Sequence, residues 1–155
     1  MGYIMDLRQK IGTQPLIMVG ASILIINENN ELLLQLRKDN NCWGLIGGSM
    51  ELGESLEEVA LREMYEESGL MPESLMFLKM FSGQEFYYQY PHGDEVFNVI
   101  AAYECRSFTG LINYDQDEAT AIKFFPLHHL PEKMSPPDQQ IIKYYVNKVV
   151  NENEE

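Results

Sequence analysis

GSMELGESLEEVALREMYEESGL, running from Gly48 to Leu70, is the most ordered pattern in the 155-residue chain. Ser55 precedes Glu58 by three residues, the spacing of a capping box, and Gly69 stands where a left-handed residue closes a helix, so a helix is expected over Ser55–Ser68. At about 100° per residue from Glu63, Glu66 lies about 60° to one side and Glu67 about 40° to the other. Leu56, Val59 and Ala60 continue that face backward, so the stripe begins apolar and ends acidic. Carboxylates gathered on a face that meets the body of a protein repel one another and lose hydration. A hard cation such as magnesium, which takes oxygen ligands and keeps several waters, relieves both. The competing reading is a solvated Glu-rich helix. Glu57 and Glu58 fit that reading, since they fall more than about 100° from the cluster.

Outward from this helix, apolar runs alternate with polar punctuation. Leu16 to Ile26, ended by Asn27-Glu28-Asn29-Asn30, reads as a buried strand and turn, and Glu31 to Arg37 as a second strand. Trp43 to Ile46 suits a brief extended piece, and Gly47-Gly48 a change of direction. After the helix, Leu75 to Tyr90 and Glu95 to Arg106 are expected as strands joined through Pro91-His92-Gly93-Asp94, and Ala121 to Phe125 as another. Pro136-Pro137-Asp138 opens an apolar-periodic segment expected to be helical over residues 136–150 and frayed from Asn151. Tyr3 to Lys10, ended by Gly12, forms a short helix or arm within residues 1–14. With no internal repeat, the expectation is one domain over residues 1–155 of class α/β (α+β in some schemes), with a mixed β-sheet flanked by helices.

The 11 Lys and Arg against 24 Asp and Glu give a net charge of −13, which repels a phosphate backbone, so long nucleic acid is not expected as a partner. A small phosphorylated molecule remains acceptable where a bound divalent cation inverts the local field. Cys42 and Cys105 need no pairing in a domain that fills its own core, and Met1 to Thr13 is too polar for a signal peptide. No apolar run nears the roughly 20 residues that cross a bilayer. A cytoplasmic protein with reduced thiols and no membrane partner is expected. The leading arm and the hydrophobic strands leave a homodimer open.

Counted from Gly48, the chain runs through five residues to Glu54, then through seven to Arg62-Glu63-Met64-Tyr65-Glu66-Glu67-Ser68-Gly69-Leu70. In this it resembles the Nudix hydrolase family (MutT-like), every fixed position of whose box is matched. Asp117-Glu118, Phe124-Phe125 and Leu130-Pro131 extend the resemblance over most of the chain. It implies an α/β/α sandwich and a loop–helix–loop that binds Mg2+, for which Mn2+ can substitute. It makes Glu63, Glu66 and Glu67 the core metal ligands and brings the Gly47 carbonyl to the same ion, at a residue type that admits close backbone approach. Glu54 ranks as a second-tier ligand. Arg62, about 40° from Glu66 on the helical map, is assigned to orienting the carboxylates. One carboxylate must act as base toward water: Glu63 or Glu67 within the box, or Glu118 beyond it, which could instead be a further ligand. Asp115 and Asp117 lie close enough in sequence to be confused with Glu118. The family commonly has proline before the glycine pair where this chain has Ile46, a change that loosens a turn without removing a ligand.

Outside the box, Arg37 is a candidate for contact with substrate phosphate, set against an ordinary exposed charge. Tyr87, Tyr88, Tyr90 and Phe97 could stack on a base, but strand aromatics more often fill a core or cover a sheet, and that is the expectation taken. His92 reads as a turn residue, His128 and His129 as solvated or capping residues, Trp43 as packing and the methionines as core filler. The function implied by the resemblance is divalent-metal-dependent hydrolysis of the pyrophosphate linkage in a nucleoside diphosphate joined to another moiety. ADP-ribose-like compounds and oxidised nucleoside triphosphates are the substrate classes. The alternatives are a non-catalytic nucleotide-sensing module of the same fold, and an acidic structural protein with no magnesium site.

Overall fold

Side-chain alternation along two strands sorts this chain into layers. A computed structural model describes residues 2–154. Its elements run α1 (Tyr3–Ile11), β1 (Leu16–Ile25), β2 (Glu31–Arg37), β3 (Trp43–Gly44), β4 (Ile46–Ser49), α2 (Leu56–Ser68), β5 (Met71–Pro72) and β6 (Met76–Phe81). A 3-10 turn at Gln84–Phe86 leads to β7 (Tyr87–Gln89), β8 (Glu95–Cys105), β9 (Phe108–Thr109), β10 (Ala119–Pro126) and α3 (Pro136–Glu154). The main sheet has the order β4-β1-β8-β6, with β7 also paired to β8. It is mixed: β1 runs parallel to β8 from Leu16↔Val96 to Ile25↔Cys105 and antiparallel to β4. A second, antiparallel sheet has the order β10-β2-β3, and β5 pairs with β9.

Successive side chains on a strand point to opposite faces. Ile23 and Ile25 of β1, with Leu33 of β2, pack against Val59, Ala60 and Met64 of α2. Their neighbours Leu24, Ile26, Leu32 and Leu34 pack against Ile141, Ile142 and Tyr145 of α3. The two helices therefore cover opposite faces, giving the α/β/α arrangement around a mixed sheet. Trp43 packs edge-on against Phe125 in the α3 layer.

The helix carrying the acidic stripe is specified at both ends. Ser55 accepts the Glu58 N–H and the Glu58 side chain accepts the Ser55 N–H, while Gly69 takes φ 78°. Pro91–Asp94 turns as expected, with the Tyr90 N–H donating to the Asp94 carbonyl at 2.8 Å.

Elsewhere the structure departs from the sequence reading. Gly47 and Gly48 are not a change of direction but lie inside β4, paired with Ser22 and Ala21. The Leu75–Tyr90 segment is not one strand: Gly83, at φ 103°, breaks it into β6, the 3-10 turn and β7. The two-residue strands β5 and β9 are too short to show a periodicity. α3 continues to Glu154, past the expected fraying point. Met1 and Glu155, at the ends of the expected arm and frayed tail, lie outside the described residues. Among the described residues no helix is long and apolar enough to cross a membrane.

Candidate active site

The acidic end of α2 packs against β4, and the backbone there decides where each carboxylate sits. Glu67 Oε1 accepts the Gly47 N–H at 2.7 Å. In an antiparallel pair a residue's N–H and C=O point to the same side, so a Gly47 N–H turned toward Glu67 puts its carbonyl on that side too. Gly48 matters for a different reason. A β-carbon there would overlap the Glu63 carboxyl group, so only glycine lets that group rest on the strand.

Arg62 holds the next tier together. Its Nε and Nη2 donate to the two oxygens of Glu54 at 2.7 and 2.9 Å, Nη2 also donates to the Ser49 carbonyl, and Nη1 donates to Glu63 at 2.7 Å and Glu66 at 3.3 Å. The hydrogen bond from Arg62 holds the Glu54 carboxyl below the usual carboxylate range. Glu63 and Glu67 go the other way. Burial pushes Glu63 up to about 7, with Glu66 and Glu118 adding repulsion that Arg62 only partly offsets. Burial likewise pushes Glu67 up to about 8 against the opposing pull of Arg37.

Glu63 and Glu67 open into an outer cavity of about 560 Å³. Two cations, Arg37 and Lys38, line it against five acids: Asp39, Glu63, Glu67, Asp117 and Glu118. Glu118 is exposed on its rim. Three of the sequence candidates lie outside the lining: Arg62 itself, Glu54, which the Arg62 fork takes up, and Glu66, whose side chain is 56% exposed beside Arg62. Asp115, whose carboxylate caps the Asp117 N–H, borders a separate groove.

Arg37, at the end of β2, lines both this cavity and a smaller neighbouring one of about 90 Å³, the inner cavity. Its guanidinium is gripped by both oxygens of Asp39 at 3.0 and 2.8 Å and lies 3.9 Å from Glu67. Burial opposes its charge, but Asp39 and Glu67 outweigh burial, so it stays protonated. Tyr90 borders both cavities and Tyr88 the inner one, where the Asn40 amide donates to its hydroxyl at 3.1 Å. Tyr88 lies in β7 opposite Val96 and packs edge-on against Tyr90, so these sheet aromatics also form part of the cavity walls. Sequence reasoning placed Asp138 only at a helix start and gave it no part in a site. It sits in the first turn of α3, half-buried and open to the inner cavity. Its Oδ2 accepts the Leu45 N–H at 3.0 Å, and burial raises its carboxyl to about 6. A β-carbon at Gly44 would stand 2.7 Å from that oxygen. The Pro-Pro-Asp start of the helix was the only signal in the sequence.

Among the described residues no three acidic, histidine or cysteine side chains converge closely enough to enclose an ion as they stand. The reason is local: Arg62 draws Glu54, Glu63 and Glu66 to itself, and the Gly47 N–H fixes Glu67. The donors nevertheless suit a hard divalent cation in kind. They are carboxylate oxygens with a backbone carbonyl beside them, in a cavity whose acids outnumber its cations.

A family described as NUDIX domain matches residues 16–145. The chain belongs to the Nudix family. It is accordingly a hydrolase acting on pyrophosphate linkages. A Methanocaldococcus jannaschii protein named ADP-ribose pyrophosphatase is 34% identical over 125 residues, which are 79% of this chain and 69% of that one. A MutT NUDIX hydrolase from Burkholderia pseudomallei has the same fold at TM-score 0.70 and 26% identity, over 84% of this chain and 97% of the other. The NUDIX domain of Shewanella oneidensis NrtR, solved with ADP ribose, shares the fold at TM-score 0.68 and 17% identity, over 96% and 99% of the two chains. In Nudix terms, the box from Gly48 to Leu70 supplies Gly48, Ser49, Glu63 and Glu67 to the outer cavity, and only Gly48 to the inner one.

Proposed function

We propose that this single Nudix unit is a divalent-metal-dependent hydrolase that splits the pyrophosphate linkage of a nucleoside diphosphate joined to another moiety. ADP-ribose-like compounds lead, and oxidised nucleoside triphosphates are the second class. The observation that carries this reading is the adjacency of the two cavities, one acidic and the other aromatic and polar, which share Arg37 and Tyr90 in their walls. A nucleotide has that same division into charged phosphates and a flat, polar-edged base.

In this reading Glu63, Glu66 and Glu67, with the Gly47 carbonyl, hold magnesium or manganese, and Glu54 supports them through Arg62. The ion, when bound, neutralises the pyrophosphate oxygens and raises the acidity of water. Arg37 pairs with a phosphate oxygen, adding a charge-assisted hydrogen bond. Water attacks one phosphorus, and the bond from that phosphorus to the bridging oxygen breaks. The bridging oxygen leaves with the other phosphoryl group, while the proton of water passes to a carboxylate facing the cavity. Glu67 would take that role once the charge of a bound ion offsets the burial that raises its carboxyl, because the Gly47 N–H fixes one of its oxygens and the residue borders the cavity. Tyr88 and Tyr90 offer ring faces to the base, and Asp138 offers an oxygen to N–H groups on its edge.

The test is a panel of nucleoside diphosphate derivatives and nucleoside triphosphates incubated with the protein and magnesium. Release of a nucleoside monophosphate and a second phosphorylated product, abolished by chelator, is expected. Binding without turnover across the panel would instead support the sensing module.

A further inference from the structure

α1 buries no residue in the protein, and a nine-residue helix is marginal on its own in water. Two polar clamps hold it in place, one at each end. At its start the Tyr3 N–H donates to Glu51 Oε2 at 2.8 Å, supplying the cap that Gly2 lacks. Glu51 lies in the loop between β4 and α2, and its own N–H donates to Glu54 Oε1 at 2.8 Å. The clamp therefore bears on the carboxylate that Arg62 grips. Near the other end the Arg8 guanidinium donates to the carbonyls of Gly12, Gln14 and Glu95 at 3.0, 2.6 and 2.6 Å and lies 3.5 Å from Asp94. The Arg8 side chain is only 12% exposed. Asp94 and Glu95 close the hairpin that carries Tyr88 and Tyr90, and the Asp94 carbonyl accepts the Tyr90 N–H.

The helix thus runs from the loop behind the acidic wall, where Glu54 meets Arg62, to the hairpin end behind Tyr90, and is tied to both. We propose that α1 is a cross-brace, with Arg8 and Glu51 as positioning residues that together fix the two walls relative to each other. This rests on the reading of the cleft as a nucleotide site. Because each clamp helps keep the helix ordered, loss of either one loosens both walls, and loss of the second adds little.

The experiment uses the full chain and two binding titrations, Mn2+ and ADP-ribose, on the wild type, Arg8→Met, Glu51→Ala and the double variant. Each single variant is expected to weaken both ligands by about fivefold, the weight of one net hydrogen bond, with the double variant no worse than the weaker single one. Glu51→Gln keeps an acceptor for the Tyr3 N–H and should behave as the wild type. If Arg8→Met does not fold, Arg8→Lys, which keeps the charge but loses the fork, carries the same expectation. Purely local effects overturn the brace: Arg8→Met moving ADP-ribose alone, Glu51→Ala moving Mn2+ alone, and their losses adding. Flat titrations in every variant, or a Glu51→Gln variant as weak as Glu51→Ala, overturn it as well. A wild type that binds neither ligand defeats the nucleotide reading itself, whereas a wild type that binds both while the variants behave locally defeats only the brace.

Discussion

The α2 carboxylates of the outer half of the cleft and the groups of the inner half are assembled in opposite ways. The acidic side chains that α2 brings to the outer half, and the backbone they rest on, come from residues 47–67, one strand and the helix after it. The inner half draws Arg37 from β2, Tyr88 and Tyr90 from a hairpin, and Asp138 from α3, elements far apart in the chain. In the first, helical spacing alone puts the carboxylates on one face. In the second, no local pattern exists to be read, because only the packed sheet and α3 bring the parts together. The α2 groups proposed to do chemistry are local in the sequence, and the groups that would recognise a substrate are assembled by tertiary structure.

If that division is right, substitutions in the two halves fail differently. The largest effect belongs to Glu67→Gln, which keeps an acceptor for the Gly47 N–H but cannot take a proton. Turnover should fall by about 10³-fold with KM nearly unchanged and the circular dichroism spectrum retained. Wild-type turnover in that variant would remove Glu67 from the mechanism. Next is Arg37→Met, at the junction, where kcat/KM should drop by about 100-fold, mostly through KM, as steady-state kinetics will read. A loss confined to kcat would move Arg37 wholly into the outer half.

Asp138 gives the inner half a signature in stability. Its folded-state carboxyl is raised to about 6 from an ordinary 3.8, so the unfolded chain gives up that proton first. Its contribution to stability therefore falls as pH rises from about 4 to about 6. Asp138→Asn removes this term, so urea unfolding should show the variant gaining about 2 kcal/mol on the wild type across that window. Equal slopes in the two proteins would mean the carboxyl is not held protonated. The smallest effect is expected from Ser55→Ala, which strips the α2 cap. Denaturant unfolding should report a loss of about 1 kcal/mol, with KM unchanged because the inner half is untouched.

The same contrast explains what was legible in the sequence. The α2 boundaries were readable because Ser55, Glu58 and Gly69 act within a turn of the ends they specify. The layering was readable because β1 and β2 alternate their apolar residues between the two helices. Gly47-Gly48 misled because glycine serves a tight backbone approach as readily as a turn, and here a strand needed the approach. Asp138 was unreadable, since nothing near it in sequence tells that Gly44 and Leu45 lie against it. Arg8 and Glu51 were hidden for the same reason: an arginine on a short leading helix and a loop glutamate look ordinary until the strands place their partners.

Manganese binding to chelator-stripped protein, followed by loss of the free-ion electron paramagnetic resonance signal, tests the central division most directly. The wild type and the inner-half variant Asp138→Asn should take up the ion alike, while Glu63→Gln/Glu67→Gln should leave it free. Uptake by the double carboxamide equal to that of the wild type would contradict the account.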